Sequence, residues 1–196
     1  MQRPVSVAIT GGIGAGKSEA LQAFARHGAA VASSDEIVHR LYRDDAEVAR
    51  ALRERYGADV FAPDGAVDRK ALGRVVFGAP DELAWLEALL HPRVVAEYMR
   101  WREELERSPE PPALVVVEIP LLYETGGEKR FDRVVVITAP PELRAARARV
   151  ADDGRSRRLM SDDEKVQRAD FVYVNDGSLE GLDAFVGEVV EQLSRR

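Results

Sequence analysis

Val5-Ser6-Val7-Ala8-Ile9-Thr10-Gly11-Gly12-Ile13-Gly14-Ala15-Gly16-Lys17-Ser18 is the stretch on which the reading of this chain turns. Val5–Ile9 is a short β-rich run, and glycines follow it at once. Glu19–Arg26 then reads as a helix with Leu21, Phe24 and Ala25 on one face, stopping at His27-Gly28. Between them, Gly11–Ser18 matches G-x-x-x-x-G-K-[ST] in full. Glycines permit backbone conformations closed to other residues and bring N–H groups against phosphate oxygens. A helix beginning near Lys17 aims the positive end of its dipole at the same anion. The candidate phosphate-binding residues are therefore Gly12, Ile13, Gly14, Ala15, Gly16, Lys17 and Ser18. Lys17 can reach the outer phosphates of ATP, and the Ser18 hydroxyl can coordinate Mg2+.

Outward from this loop, Ala29–Ala32 reads as a second strand ending in Ser33-Ser34-Asp35. Helical patterns follow over Glu36–Arg43 and Ala46–Tyr56, then a loop, Gly57–Val67, with Pro63 and the turn Asp64-Gly65. Arg69–Phe77, Pro80–Leu90 and Pro92–Arg107 read as three more helices, the last two opened by proline. Beyond the break at Ser108–Pro112, Leu114–Ile119 and Arg133–Thr138 have the near-continuous apolar character of buried parallel strands. A helix over Pro141–Val150, a polar arginine-rich stretch to Lys165, a strand over Phe171–Val174 and an amphipathic helix over Leu179–Leu193 complete the chain. Strands alternating with helices predict an α/β fold with a mostly parallel sheet. The helical block at 44–107 interrupts the alternation, so 1–43 and 108–196 are expected to form the core and 44–107 an inserted subdomain.

The formal net charge of -6 argues against nucleic acid as a partner, since a phosphate polymer needs a basic face. Arg144, Arg147, Arg149, Arg155, Arg157 and Arg158 nevertheless cluster late in the chain, which suits a small polyphosphate ligand or, more plainly, a solvated helix face. Lysine occurs only at 17, 70, 129 and 165, which makes the placement of Lys17 informative. Cysteine is absent, which excludes thiolate chemistry and is consistent with a reducing cytoplasm. The opening Met1-Gln2-Arg3-Pro4 lacks the apolar stretch of a signal peptide, and the apolar runs are too short to cross a bilayer. A cytoplasmic protein with small-molecule partners, no membrane contact, and a monomeric or weakly homo-oligomeric state is expected.

No Asn-Lys-x-Asp guanine-recognition stretch occurs, and the chain is short for a motor ATPase. A more specific signal comes from several segments in order: Thr10–Ser18, Asp68-Arg69-Lys70-Ala71-Leu72, Val76-Phe77, Leu90-His91-Pro92, Pro120-Leu121-Leu122-Tyr123-Glu124, and Ala169-Asp170-Phe171-Val172 through Asn175-Asp176-Gly177-Ser178. Together they resemble the dephospho-CoA kinase family along nearly the whole chain. That resemblance implies a three-layer P-loop kinase fold with a helical acceptor-binding insertion and a short lid at about 150–166. It implies transfer of the ATP γ-phosphoryl to the ribose 3′-hydroxyl of dephospho-CoA, with Mg2+.

The resemblance assigns Asp35 as the base, at a strand's carboxyl end where a hydroxyl proton can be accepted. A helix N-cap is the competing reading of Ser34-Asp35. It assigns Arg147 to the transferring phosphate, Arg155 and Arg157 to the lid, and Asn175 and Gly177 to the adenine loop, where turn chemistry is an equal explanation. Asp68, Arg69, Lys70 and His91 fall on the acceptor side, His91 also reading as a cap or core histidine. Glu118 and Glu124 are carboxylates placed to hold Mg2+ through water, to support the loop or to pair with an arginine.

The chain departs from the family pattern at Ser33, where an Asp is usual, and at Glu118, where Asp is commoner. Its lid is about seven residues shorter. A nucleoside or nucleotide kinase is the competing enzyme. A nucleotide-binding regulator is the reading from outside catalysis, favoured by Ser33 and the short lid and opposed by the joint presence of Lys17, Ser18, Asp35 and Arg147.

Overall fold

A computed structural model of the chain describes residues 3–147 and 160–195. Its strands are β1 (Val5–Thr10), β2 (Ala30–Ser33), β3 (Leu114–Glu118), β4 (Arg133–Thr138) and β5 (Phe171–Val174). They form one sheet in the order β2-β3-β1-β4-β5, every neighbouring pair parallel. The apolar runs explain the placement. β3 is buried at every position and β1 and β4 at all but their first residues, so these three take the centre, covered on both faces.

Helices α1 (Lys17–Arg26) and α8 (Leu179–Ser194) cover one face. There Leu21, Phe24, Leu182 and Val186 pack on Val7, Ile9, Val116 and Ile137. The opposite face carries α2 (Ser34–Asp44), α3 (Ala46–Tyr56), α4 (Arg69–Val76) and α5 (Pro80–Glu106), whose apolar stripes join Val117 in a second core. A third, smaller core sets Leu122 and Tyr123 against Ala8, Val134 and Val136, beneath the short helix α7 (Asp162–Gln167). The remaining helix, α6 (Pro141–Arg147), follows β4. Helices on both sides of a parallel sheet make three layers. No helix of the described residues is long and apolar enough to cross a membrane.

Two local expectations change. The separate helices expected on either side of His91-Pro92 are one helix, α5, with Pro92 inside it. Proline removes one ladder bond, but Leu86, Leu90, Val94 and Tyr98 form a buried i, i+4 stripe that runs through the break. The guanidinium of Arg93 donates to the Leu89 carbonyl in the same turn, 2.8 Å away. The polar stretch before Lys165 contains α7, started by a capping box in which Ser161 and Glu164 satisfy each other's backbone N–H groups. Arg155 and Arg157, with most of the expected lid, lie outside the described residues.

At the amino end of the sheet, Asp132 ties the edges of β1 and β4 together. Its carboxylate accepts from Arg3 at 2.6 and 2.8 Å, from the Ser6 N–H at 2.9 Å and from the Ser6 hydroxyl at 2.7 Å. The Arg3 guanidinium lowers this carboxyl most, burial opposes it next, and the two Ser6 donors lower it further, which leaves it far below the usual carboxylate range.

Candidate active site

The site is built at the carboxyl ends of β1, β2 and β3, where open α/β sheets place their ligand crevice. β1 runs directly into the glycine loop, and the loop into α1. Gly16, the residue before α1, has φ +101°, a left-handed conformation that favours glycine. A side chain there would also meet the Asn175 amide, which is buried and donates to the Ala15 carbonyl at 2.9 Å. The Asn175 carbonyl oxygen accepts from the Gly177 N–H at 3.1 Å. The turn after β5 thus braces the back of the loop, with both ends of the Asn175 side chain engaged.

Lys17 folds over the loop, its ammonium donating to the Gly12 carbonyl at 2.9 Å. Burial lowers its pKa; Glu118 opposes that shift, and Lys165 adds to it. Ser18 donates to Glu118 Oε1 at 3.3 Å. Glu118 is only 5% exposed, and burial pushes its carboxyl up, with the Lys17 charge pulling the other way and Asp35 adding to the rise. In register, Glu118 stands beside Ile9 on one side and Ser33 on the other. A carboxylate at 33 would stand beside buried Glu118 in the sheet register and crowd a second charge against it. Ser33 avoids that.

Asp35 lies in the first turn of α2, while Ser33 holds the N-cap position without a side-chain cap bond. The cap reading of Asp35 therefore fails: its carboxylate is exposed to solvent and acts electrostatically on both Lys17 and Glu118. Arg147, at the end of the described part of α6, is exposed and directs its guanidinium toward Gly177, 3.4 Å from where a side chain there would begin. Asp68 caps α4, accepting from the N–H groups of Lys70 and Ala71 at 2.9 and 3.1 Å. These backbone bonds, that from Ala71 foremost, hold its carboxyl below the usual range. Arg69 and Lys70 are exposed on that first turn, and His91 is partly buried inside α5.

Two pairs were not legible in the sequence. Arg144 Nη1 meets Asp162 Oδ2 at 2.9 Å beside Gly12. Glu124, considered above for Mg2+, instead accepts from the Met160 N–H at 2.8 Å and lies 2.9 Å from the Lys165 ammonium. Lys165 is fully buried, and its contact with Glu124 is an ion pair rather than a directed hydrogen bond. The Ser161-x-x-Glu164 spacing signals a helix start and so could have placed Asp162 and Lys165 on α7. Nothing local marks their partners, Arg144 and Glu124.

For Mg2+, a hydroxyl and a carboxylate on adjacent elements, Ser18 and Glu118, supply the hard oxygen donors the ion prefers. Among the described residues no group of three acidic or histidine side chains forms a cage.

An all-parallel three-layer sheet with a glycine loop joining β1 to α1 defines a P-loop nucleotide-binding protein of the kinase type. Residues 5–181 match the model of the family described as dephospho-CoA kinase. A dephospho-CoA kinase of Streptomyces avermitilis is 38% identical over 98% of this chain and 95% of its own length. A crystal structure of a Thermus thermophilus protein superposes with a TM-score of 0.77 at 36% identity, covering 98% of this chain and 99% of that one. The dephospho-CoA kinase of Campylobacter jejuni superposes at 0.68 and 25% identity, covering 97% and 98%. The chain belongs to the dephospho-CoA kinase family, whose members are ATP-dependent phosphotransferases.

Proposed function

We propose that this chain joins the 3′-oxygen of dephospho-CoA to the γ-phosphorus of ATP, releasing ADP and forming coenzyme A. The observation that carries the proposal is the meeting of Lys17, Ser18 and Glu118 at the carboxyl end of the sheet, with Asp35 acting electrostatically on two of them. The loop N–H groups and Lys17 bind the β- and γ-phosphates, and Lys17 exchanges its Gly12 carbonyl for phosphate oxygens. Asp35, on the exposed first turn of α2, accepts the proton of the 3′-hydroxyl as its oxygen bonds to the γ-phosphorus. The bond from that phosphorus to the bridging oxygen breaks, and ADP leaves. Ser18 and Glu118 hold Mg2+, which supplies neutralisation of the charge on the phosphates when bound. Arg147 adds a guanidinium from α6.

The helical block at 44–107, with Asp68, Arg69, Lys70 and His91, receives the acceptor. Its apolar stripes share one core with α2, the helix that carries Asp35, and with Val117 of the sheet, which sets the block beside the site. The enzyme acts on small molecules in the cytoplasm, as a monomer or weak oligomer. The test is ADP release with dephospho-CoA, adenosine, AMP or no acceptor, with mass detection of coenzyme A. The reading requires ADP only with dephospho-CoA and coenzyme A in equal amount; ADP without coenzyme A refutes it.

A further inference from the structure

Two cations meet at Gly12 from different elements. Lys17 approaches its carbonyl from α1, and Arg144 approaches its Cα from α6. A Cβ at Gly12 would lie 2.6 Å from Arg144 Nη1 and 3.0 Å from Asp162 Oδ1, so the guanidinium and its carboxylate occupy the space a side chain would fill. The main chain of Arg144 also packs on the loop, its carbonyl oxygen 2.8 Å from the Cβ position of Gly14. The first turn of α6, closed by the Arg144 N–H on the Pro140 carbonyl at 3.1 Å, therefore rides directly on the phosphate loop.

We propose that Arg144 is a second phosphate-contacting cation of this site, which Asp162 holds in reserve while the site is empty. The side chains of this pair are 32% and 22% exposed, within reach of a ligand rather than sealed in the core. The carboxylate is fixed at its post because Asp162 is the first residue of α7, inside the Ser161–Glu164 capping box. Without Arg144, that carboxylate would place an uncompensated negative charge beside the loop that must take up phosphate; Asp162 acts electrostatically on Lys17 as well. A guanidinium suits the exchange, since its planar fork binds carboxylate and phosphate in the same geometry. When triphosphate enters, Arg144 transfers from Asp162 to phosphate oxygens and joins Lys17.

The inference rests on ATP occupying this loop, and the test separates the two claims. Calorimetric titration with ATP-Mg2+ is run on wild type, Arg144→Ala, Arg144→Lys and Asp162→Asn, with kcat and KM from the acceptor assay. Arg144→Ala is expected to weaken ATP binding about tenfold or more and to lower kcat by about a hundredfold, the scale of one lost donor at developing charge. Asp162→Asn is expected to tighten ATP binding by a few-fold, because Arg144 then has no carboxylate to leave. Arg144→Lys is expected to recover part of the loss. Thermal melts without nucleotide report the pair's structural value alone, which should fall equally in Arg144→Ala and Asp162→Asn. A mere staple between α6 and α7 would make both variants lose ATP affinity alike, and that result, or no change in either, overturns the inference. A wild type that binds no ATP overturns the nucleotide reading and this inference together. A wild type that binds ATP and forms coenzyme A beside an unaffected Arg144→Ala overturns the inference alone.

Discussion

At the amino end of the sheet, Asp132 receives Arg3 and both donors of Ser6, and its carboxyl is held far below the usual range. At the carboxyl end, burial lowers the pKa of Lys17 and raises that of Glu118, and each is only partly offset by the other. One end of the sheet satisfies its charge and is stabilised by it. The other end holds an ammonium and a carboxylate whose charged forms burial disfavours, which costs stability until a polyanion arrives. The difference separates a fold-holding site from a ligand site on one set of strands, and it can be broken at four points.

Lys17→Ala has the largest expected effect, a fall in turnover of about a thousandfold or more, since transfer chemistry is mostly positioning and charge stabilisation. Its melting temperature without nucleotide should not fall, and a clear fall would make Lys17 a structural cation. Asp35→Asn should cost about a hundredfold or more in kcat while leaving ATP affinity near wild type. Steady-state kinetics beside a nucleotide titration reads both, and turnover within tenfold of wild type would remove Asp35 as the base.

Asp132→Asn tests the other end. It should destabilise the protein by about 2 kcal/mol at neutral pH through its charge-assisted hydrogen bonds, and leave kcat alone. Its folded pKa is depressed, so the stability it contributes is present above the unfolded carboxylate value of about 3.9 and is lost as pH falls toward the folded value. Urea unfolding against pH should therefore show wild type and variant converging in acid. A gap that persists there contradicts the charge-based account. The smallest expected effect on stability comes from the double variant Lys17→Met/Glu118→Gln, which removes two charges that burial disfavours. Its melting temperature without ligand should rise by about 2–4 °C while ATP binding is lost. A lower melting temperature would show that this end, too, is built for stability.

The glycine loop, the strands around it and the parallel sheet were legible in the sequence because each is written in a few consecutive residues. Gly11–Ser18 carries its own geometry, and the apolar run of β3 announces burial on both faces. What escaped was set by distance along the chain or by competition between rules. Pro92 reads as a helix start, but the stripe from Leu86 to Tyr98 is buried through it, and packing outweighs one missing hydrogen bond. The competing cap reading of Asp35 follows from the preference of Asp for caps, yet the helix begins a residue earlier. Arg144 beside Asp162, and Glu124 beside Lys165, join residues that only the assembled sheet brings together.

The most direct test of the whole account is phosphorus NMR of a reaction containing the purified chain, ATP-Mg2+ and dephospho-CoA. A new 3′-phosphomonoester resonance growing in step with ADP, and absent with Lys17→Ala, is the predicted result. Inorganic phosphate in place of that resonance, or a phosphoryl group on any other oxygen of the acceptor, would contradict it.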